Sequence, residues 1–256
     1  MKRSETYELV LAGSFTAIIL LMAVVPQLGF VTILPGVSIT LVHVPTLIGI
    51  FLLSRKYALM LGLFFGIGSW IASLLYAANP FDFAFQYPWI SILPRILFAL
   101  AAFYIFKGLK ALESRFKQGR VMIFTVVSLV TIFSLYYGLR AVSNNTGWDF
   151  SVIAPVALFL SALFLSAYFY FLIHNKGEEA IYPSSFILGT VAHTVIVLST
   201  VALFAPNAFF ETFGQDESVL ALIYTIAISN GLIEALVAVL IGLPIIYAIR
   251  SMRQQA

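Results

Sequence analysis

Long apolar stretches follow one another along this chain of 256 residues, separated only by short polar or proline-containing breaks. A helix needs about 20 apolar residues to cross a hydrocarbon core roughly 30 Å thick. Eight stretches approach that length, at about 7–29, 38–54, 57–77, 88–106, 121–139, 152–173, 184–205 and 219–249. In lipid every backbone N–H and C=O must be satisfied within the protein, which leaves helices or closed barrels. Barrel strands would read as short alternating segments. Continuous apolar runs therefore predict an all-α membrane protein, a multi-pass helical bundle of eight spans. Composition agrees: 61% of residues are hydrophobic and 10% charged, with mean hydropathy +1.02, against about 25% charged in a typical soluble domain.

The breaks orient the bundle. With the N-terminus inside, inner segments hold Lys2, Arg3, Arg55, Lys56, Lys107, Lys110, Arg115, Lys117, Arg120, Lys176, Arg250 and Arg253, or 12 of the 14 basic residues. The positive-inside rule then predicts a cell-membrane protein with both termini cytoplasmic. It also accounts for the basic isoelectric point without nucleic acid. The first stretch follows Met1-Lys2-Arg3 and has no small-x-small cleavage site, so it is expected to stay as a first helix. No soluble domain is evident, and any energy source is expected from an ion gradient or from partner chains.

Enzyme signatures are sparse. No H-E-x-x-H, G-x-S-x-G or P-loop lysine motif occurs. Glu178-Glu179 matches the start of an intramembrane CAAX-type protease motif, but Pro183 stands where an arginine belongs. Cysteine is absent, and His43, His174 and His193 lie on separate segments without ligand spacing. No enzyme, metal site or cofactor is expected.

Polar groups inside apolar spans carry what chemistry remains. An arginine at the centre of a membrane helix costs about 3 kcal/mol on insertion scales. Arg95 nevertheless lies in "YPWISILPRILFAL", directly after Pro94. Asn230 and Glu234 are spaced i, i+4 on the last span, and Thr190, His193 and Thr194 share a face of the seventh. One reading is structural, with Arg95 paired to Glu234 and the others bonding between helices. The other is a cavity for a polar solute, with Arg95 facing an anionic group through its planar fork. "FVTILPGVSITLVHVP", residues 30–45, reads as an ordered outer connection able to cover such a pocket. Small residues at Ala12/Thr16 and Gly13/Ala17, and at Gly62 and Gly66, mark faces where helices approach closely.

Four segments resemble the substrate-binding S components of energy-coupling factor (ECF) vitamin transporters: "ITLVHVPTLIGIFLLSRKYALMLGLFFGIGSWIAS", "FAFQYPWISILPRILFALAAFYIFKGL", "GTVAHTVIVLSTVALF" and "SNGLIEALVAVLIGLPI". Within that family they look nearest to the pantothenate type. The resemblance implies six family-type helices, over 1–106 and 184–256 of a single membrane domain. Residues 107–183 would be an inserted transmembrane hairpin. It implies a vitamin bound near the outer face, held by Arg95, His193, Thr194, Asn230 and Glu234, with Phe85, Tyr87 and the binding-site Trp89 excluding water at the mouth. It also implies partners: a membrane scaffold subunit, docked on Ala12, Gly13, Thr16 and Ala17, and cytoplasmic ATPase subunits. A proton-driven secondary transporter, with Glu234 or His193 carrying the proton, is the alternative.

Overall fold

The computed structural model describes residues 5–25, 28–34, 37–175, 177–213 and 219–255. In chain order the elements are α1 (Glu5–Val24), β1 (Phe30–Leu34), β2 (Val37–Thr40), α2 (His43–Leu52), α3 (Arg55–Tyr76), α4 (Pro80–Ala84), α5 (Pro88–Arg115), α6 (Gly119–Thr146), α7 (Phe150–His174), α8 (Glu178–Phe204), α9 (Pro206–Phe213) and α10 (Val219–Gln255). Seven helices, α1, α3, α5, α6, α7, α8 and α10, are long and apolar enough among the described residues to cross a membrane. The chain is an all-α, multi-pass membrane protein, with one small antiparallel hairpin between α1 and α2.

That hairpin corrects the second predicted span. Residues 38–54 are not one helix: β2 pairs with β1, Phe30 opposite Thr40 and Thr32 opposite Ser38, and only His43–Leu52 are helical. β-branched residues on both sides of Pro35-Gly36 favour extended backbone. The ten residues of α2 reach about 15 Å, half the hydrocarbon thickness. Such a segment survives only if protein surrounds it, and every residue of α2 is buried. It touches α1, α3, α5, α8 and α10, and so forms the axis of the bundle.

Around that axis α1 packs on α3, α3 on α5, α5 on α8 and α8 on α10. The α6–α7 hairpin lies outside this arc, with α6 against α10 and α7 against α6. Much of α7 presents leucine, valine and phenylalanine to the surroundings, as a helix bathed in lipid does.

Contacts between helix ends define two ends of the bundle. At one, Lys56 pairs with Glu5, Arg55 donates to the Tyr104 hydroxyl, and Lys110 and Arg250 both reach Glu178. This basic end gathers the starts of α1, α3 and α8 with the ends of α5 and α10. At the far end the Tyr76 hydroxyl donates to the Val24 carbonyl, and α4 packs on α9. The cap of α4 is local: Asn79 accepts from the Asp82 amide at 2.9 Å and its own amide donates to the Asp82 carboxylate at 2.8 Å.

The G-x-x-x-G of α3 seats α5. A Cβ on Gly62 would lie 2.5 Å from the Ala99 Cβ and 2.7 Å from the Arg95 carbonyl; on Gly66 it would lie 2.6 Å from the Ile92 Cα. Glycine permits this approach, which holds Pro94 and Arg95 against α3. Overpacking of a closed interface costs about 1–3 kcal/mol. We therefore expect Gly66→Val to lower the unfolding temperature in detergent by several degrees, whereas Gly108→Val, at a glycine with nothing within 4 Å, leaves it nearly unchanged.

Candidate functional site

Arg95 sits eight residues into α5, and the sequence around it explains its position. Proline has no N–H, so Pro94 leaves the carbonyl four residues earlier, on Ile90, without its helical donor. The Arg95 guanidinium folds back along its own helix and supplies one: Nη1 donates to the Ile90 oxygen at 3.3 Å. Two rings cover the cation, Phe85 at 4.7 Å and Phe65 at 5.7 Å from the guanidinium carbon. With 4% of its surface exposed, Arg95 is buried. Its Nε has no hydrogen-bond partner, and no carboxylate lies within ion-pair distance among the described residues. A guanidinium offers five N–H donors, and one weak carbonyl contact uses few of them.

Glu234 on α10 is also buried, at 4%, but it is turned to another task. Its Oε1 accepts from the Thr40 amide at 2.6 Å, and the Thr40 and Thr194 hydroxyls face the same carboxylate. The last amide of β2 is thereby fixed to α10. The Thr40 carbonyl is held too, because His43 Nδ1 donates to it. A carbonyl only accepts, so Nδ1 carries the proton, and in the neutral ring Nε2 accepts from the Thr190 hydroxyl at 3.1 Å. Thr40 thus joins the hairpin to α2, α8 and α10.

His193 lies between these groups. Its ring stacks on His43 at 5.5 Å and 9° and on Phe65 at 5.4 Å, with Phe98 edge-on at 4.8 Å. It is 4% exposed, and neither ring nitrogen has a hydrogen-bond partner. Arg95 and His43 are both within electrostatic reach of it. Leaving buried donors and acceptors unmade costs about 1–3 kcal/mol each. Two neighbouring side chains, Arg95 and His193, carry such a cost.

Of the sequence-predicted site residues, Arg95, His193, Thr194 and Glu234 are brought into one neighbourhood. Thr194 is half-buried; its hydroxyl donates to the Thr190 carbonyl at 3.2 Å and lies 3.6 Å from where a Cβ on Gly231 would stand. Asn230 lies on α10 with its side chain outside the described residues. Trp89 does not join the buried cluster. It is 54% exposed and its ring packs on Tyr87, also exposed, at 5.1 Å. The second residue of α5, at the far end, it turns outward as an interfacial tryptophan does. Phe85 alone of the three mouth aromatics reaches Arg95.

The small residues of α1 split between two faces. Ala12 is fully buried and faces inward, and Thr16 is half-buried with its hydroxyl unpartnered. Gly13 and Ala17 are exposed. A partner helix can reach the Gly13/Ala17 face; the Ala12 side chain is closed to it.

Sequence reasoning missed His43 and Thr40. His43 looked isolated because it is far in sequence from every other histidine. Its neighbour in space comes from α8, 150 residues on. Among the described residues no group of three or more histidine, aspartate or glutamate side chains could hold a metal ion. No protein-family model matches the chain, and none of the curated proteins matches it.

The Thr40–Glu234 bond has a measurable consequence. A hydrogen bond to a charged group contributes about 1.5–3 kcal/mol. Glu234→Ala is expected to raise amide exchange at Thr40 about tenfold or more, since 1.4 kcal/mol is a factor of ten. Glu234→Gln, which keeps an acceptor, should raise it less.

Proposed function

We propose that this chain is the substrate-binding membrane subunit of an ATP-driven importer of the energy-coupling factor type. It captures a small water-soluble vitamin, with pantothenate the best candidate, at the outer face and passes it inward with a scaffold subunit and cytoplasmic ATPases. One observation carries the reading: Arg95 is buried with no carboxylate within ion-pair distance among the described residues, while the buried Glu234 carboxylate is committed to Thr40. A cation kept under these conditions is a binding group for an anion that arrives from outside the chain.

Other features support the same reading. Arg95 and His193 supply unmet polar atoms, and Thr194 and Glu234 supply hydroxyl and carboxylate oxygen. Pantothenate has a carboxylate for the first group and hydroxyl and amide N–H donors for the second. On this reading the six family-type helices correspond to α1, α2, α3, α5, α8 and α10, and the α6–α7 hairpin is the insertion. The basic end of the bundle is assigned to the cytoplasm by the positive-inside rule. The exposed Gly13/Ala17 face of α1 is the proposed seat of the scaffold.

A second reading rests on the buried Glu234 and the stacked His43–His193 pair: a proton-coupled secondary transporter of a small organic anion. Uptake that survives loss of the partner ATPases and collapses with the proton gradient would select it.

Binding of radiolabelled pantothenate, and of a panel of other vitamins, to the purified chain tests the proposal. A charge-assisted contact contributes about 1.5–3 kcal/mol, so Arg95→Ala should weaken binding by about one to two orders of magnitude, and Arg95→Lys by less. Absence of binding to any vitamin by the folded wild type would refute the proposal.

A further inference from the structure

An open groove of about 460 Å³ lies at the far end of the bundle, between the end of α3, α4 and the start of α9, with Leu74, Phe83, Ala84, Gln86 and Ala208 in its wall. Ala84 and Gln86 contribute to its wall, but the residue between them does not. Phe85 is buried, and its ring lies over the Arg95 guanidinium. Phe85 thus stands between two groove-lining residues in the chain and against the buried cation in space.

The backbone around Phe85 is anchored on both sides. The Ser91 hydroxyl donates to the Phe85 carbonyl at 2.6 Å. The Gln86 carbonyl accepts from the Trp70 indole at 2.9 Å, and the Gln86 amide donates to the Ser73 carbonyl at 3.3 Å. On the other side the Asn79–Asp82 cap fixes the start of α4. The ring itself is held by apolar and π contacts: Phe81 edge-on at 5.2 Å, the guanidinium carbon 4.7 Å from its centroid, and the cluster with Val197, Leu198 and Val201. No hydrogen bond fixes the ring, so a change of rotamer there breaks apolar and π contacts and leaves the anchored backbone in place.

We propose that the groove is the entry vestibule for the anion and that the Phe85 ring is the door between it and Arg95. In the closed position the π face of Phe85 occupies the cation, which removes some of the cost of burying it. An incoming carboxylate displaces the ring and takes over the guanidinium. Phe85 is thus a positioning and access residue, distinct from the groups that hold the ligand. The ligand part of this inference rests on the proposed function; the door does not, because the wall and the ring are features of the fold.

The two are separated by experiment. The chain has no cysteine, so His193→Cys places a single thiol beside Arg95. Its modification by the anionic reagent sulfonatoethyl methanethiosulfonate is followed with Phe85 present and with Phe85→Ala or Phe85→Leu added. Both replacements should speed labelling by about tenfold or more, the scale of losing a desolvated cation–π contact. Phe85→Leu keeps the apolar filling and decides the matter if Phe85→Ala fails to fold. The same two Phe85 replacements, with His193 retained, should speed association of radiolabelled pantothenate. Faster labelling in a chain that binds no vitamin would uphold the door and overturn the proposed function. Unchanged labelling and association in a chain that does bind pantothenate would overturn the door and leave the proposed function standing.

Discussion

A guanidinium in hydrocarbon has no water to complete its hydrogen bonds, and the arrangement around Arg95 follows from that shortage. Pro94 exposes the Ile90 carbonyl, and Arg95 takes it. The rings of Phe85 and Phe65 lie within cation–π distance of the guanidinium. Gly62 and Gly66 bring α3 close enough for Phe65 to do so. None of these contacts neutralises the charge. The bundle solvates Arg95 well enough to fold and leaves it short of an anion.

The complementary constraint is the place of Glu234. A single carboxylate on α10 within reach of Arg95 would close the ion pair and give a structural bridge. Instead the carboxylate holds the Thr40 amide, at the point where the hairpin turns into α2. That bond, with His43 on the Thr40 carbonyl, lets a ten-residue helix stand at the axis of the bundle with non-helical backbone above it. Irregular backbone at membrane depth is tolerated only where protein satisfies it, and Glu234 and His43 do so here.

Much of the architecture was legible in the sequence. Hydropathy marked the seven long helices, because spans must match the bilayer whatever they pack against. It failed for residues 38–54, where burial in protein makes a half-length helix as apolar as a full span. The Gly62/Gly66 face was readable as small-xxx-small spacing, but not its partner α5. Of the site, Arg95, His193, Thr194 and Glu234 stood out as polar groups in apolar segments. The pairing of Glu234 with Thr40 did not, since its partner is a backbone amide and every residue but proline has one. His43 was passed over for the same kind of reason: proximity to His193 is a property of packing between α2 and α8. Trp89 was placed in the site by its neighbours in sequence, whereas the turn into α5 directs it outward.

The central claim is that Arg95 recognises a carboxylate from outside the chain. A double-mutant cycle tests it most directly, comparing pantothenate and its alcohol analogue, in which CH₂OH replaces the carboxylate, on the wild type and on Arg95→Ala. If Arg95 holds the carboxylate, the wild type prefers pantothenate by roughly tenfold to a hundredfold, the value of about 1.5–3 kcal/mol for a charge-assisted contact, and the preference vanishes in Arg95→Ala. The same preference in both proteins would contradict it, and would place the carboxylate on some other group.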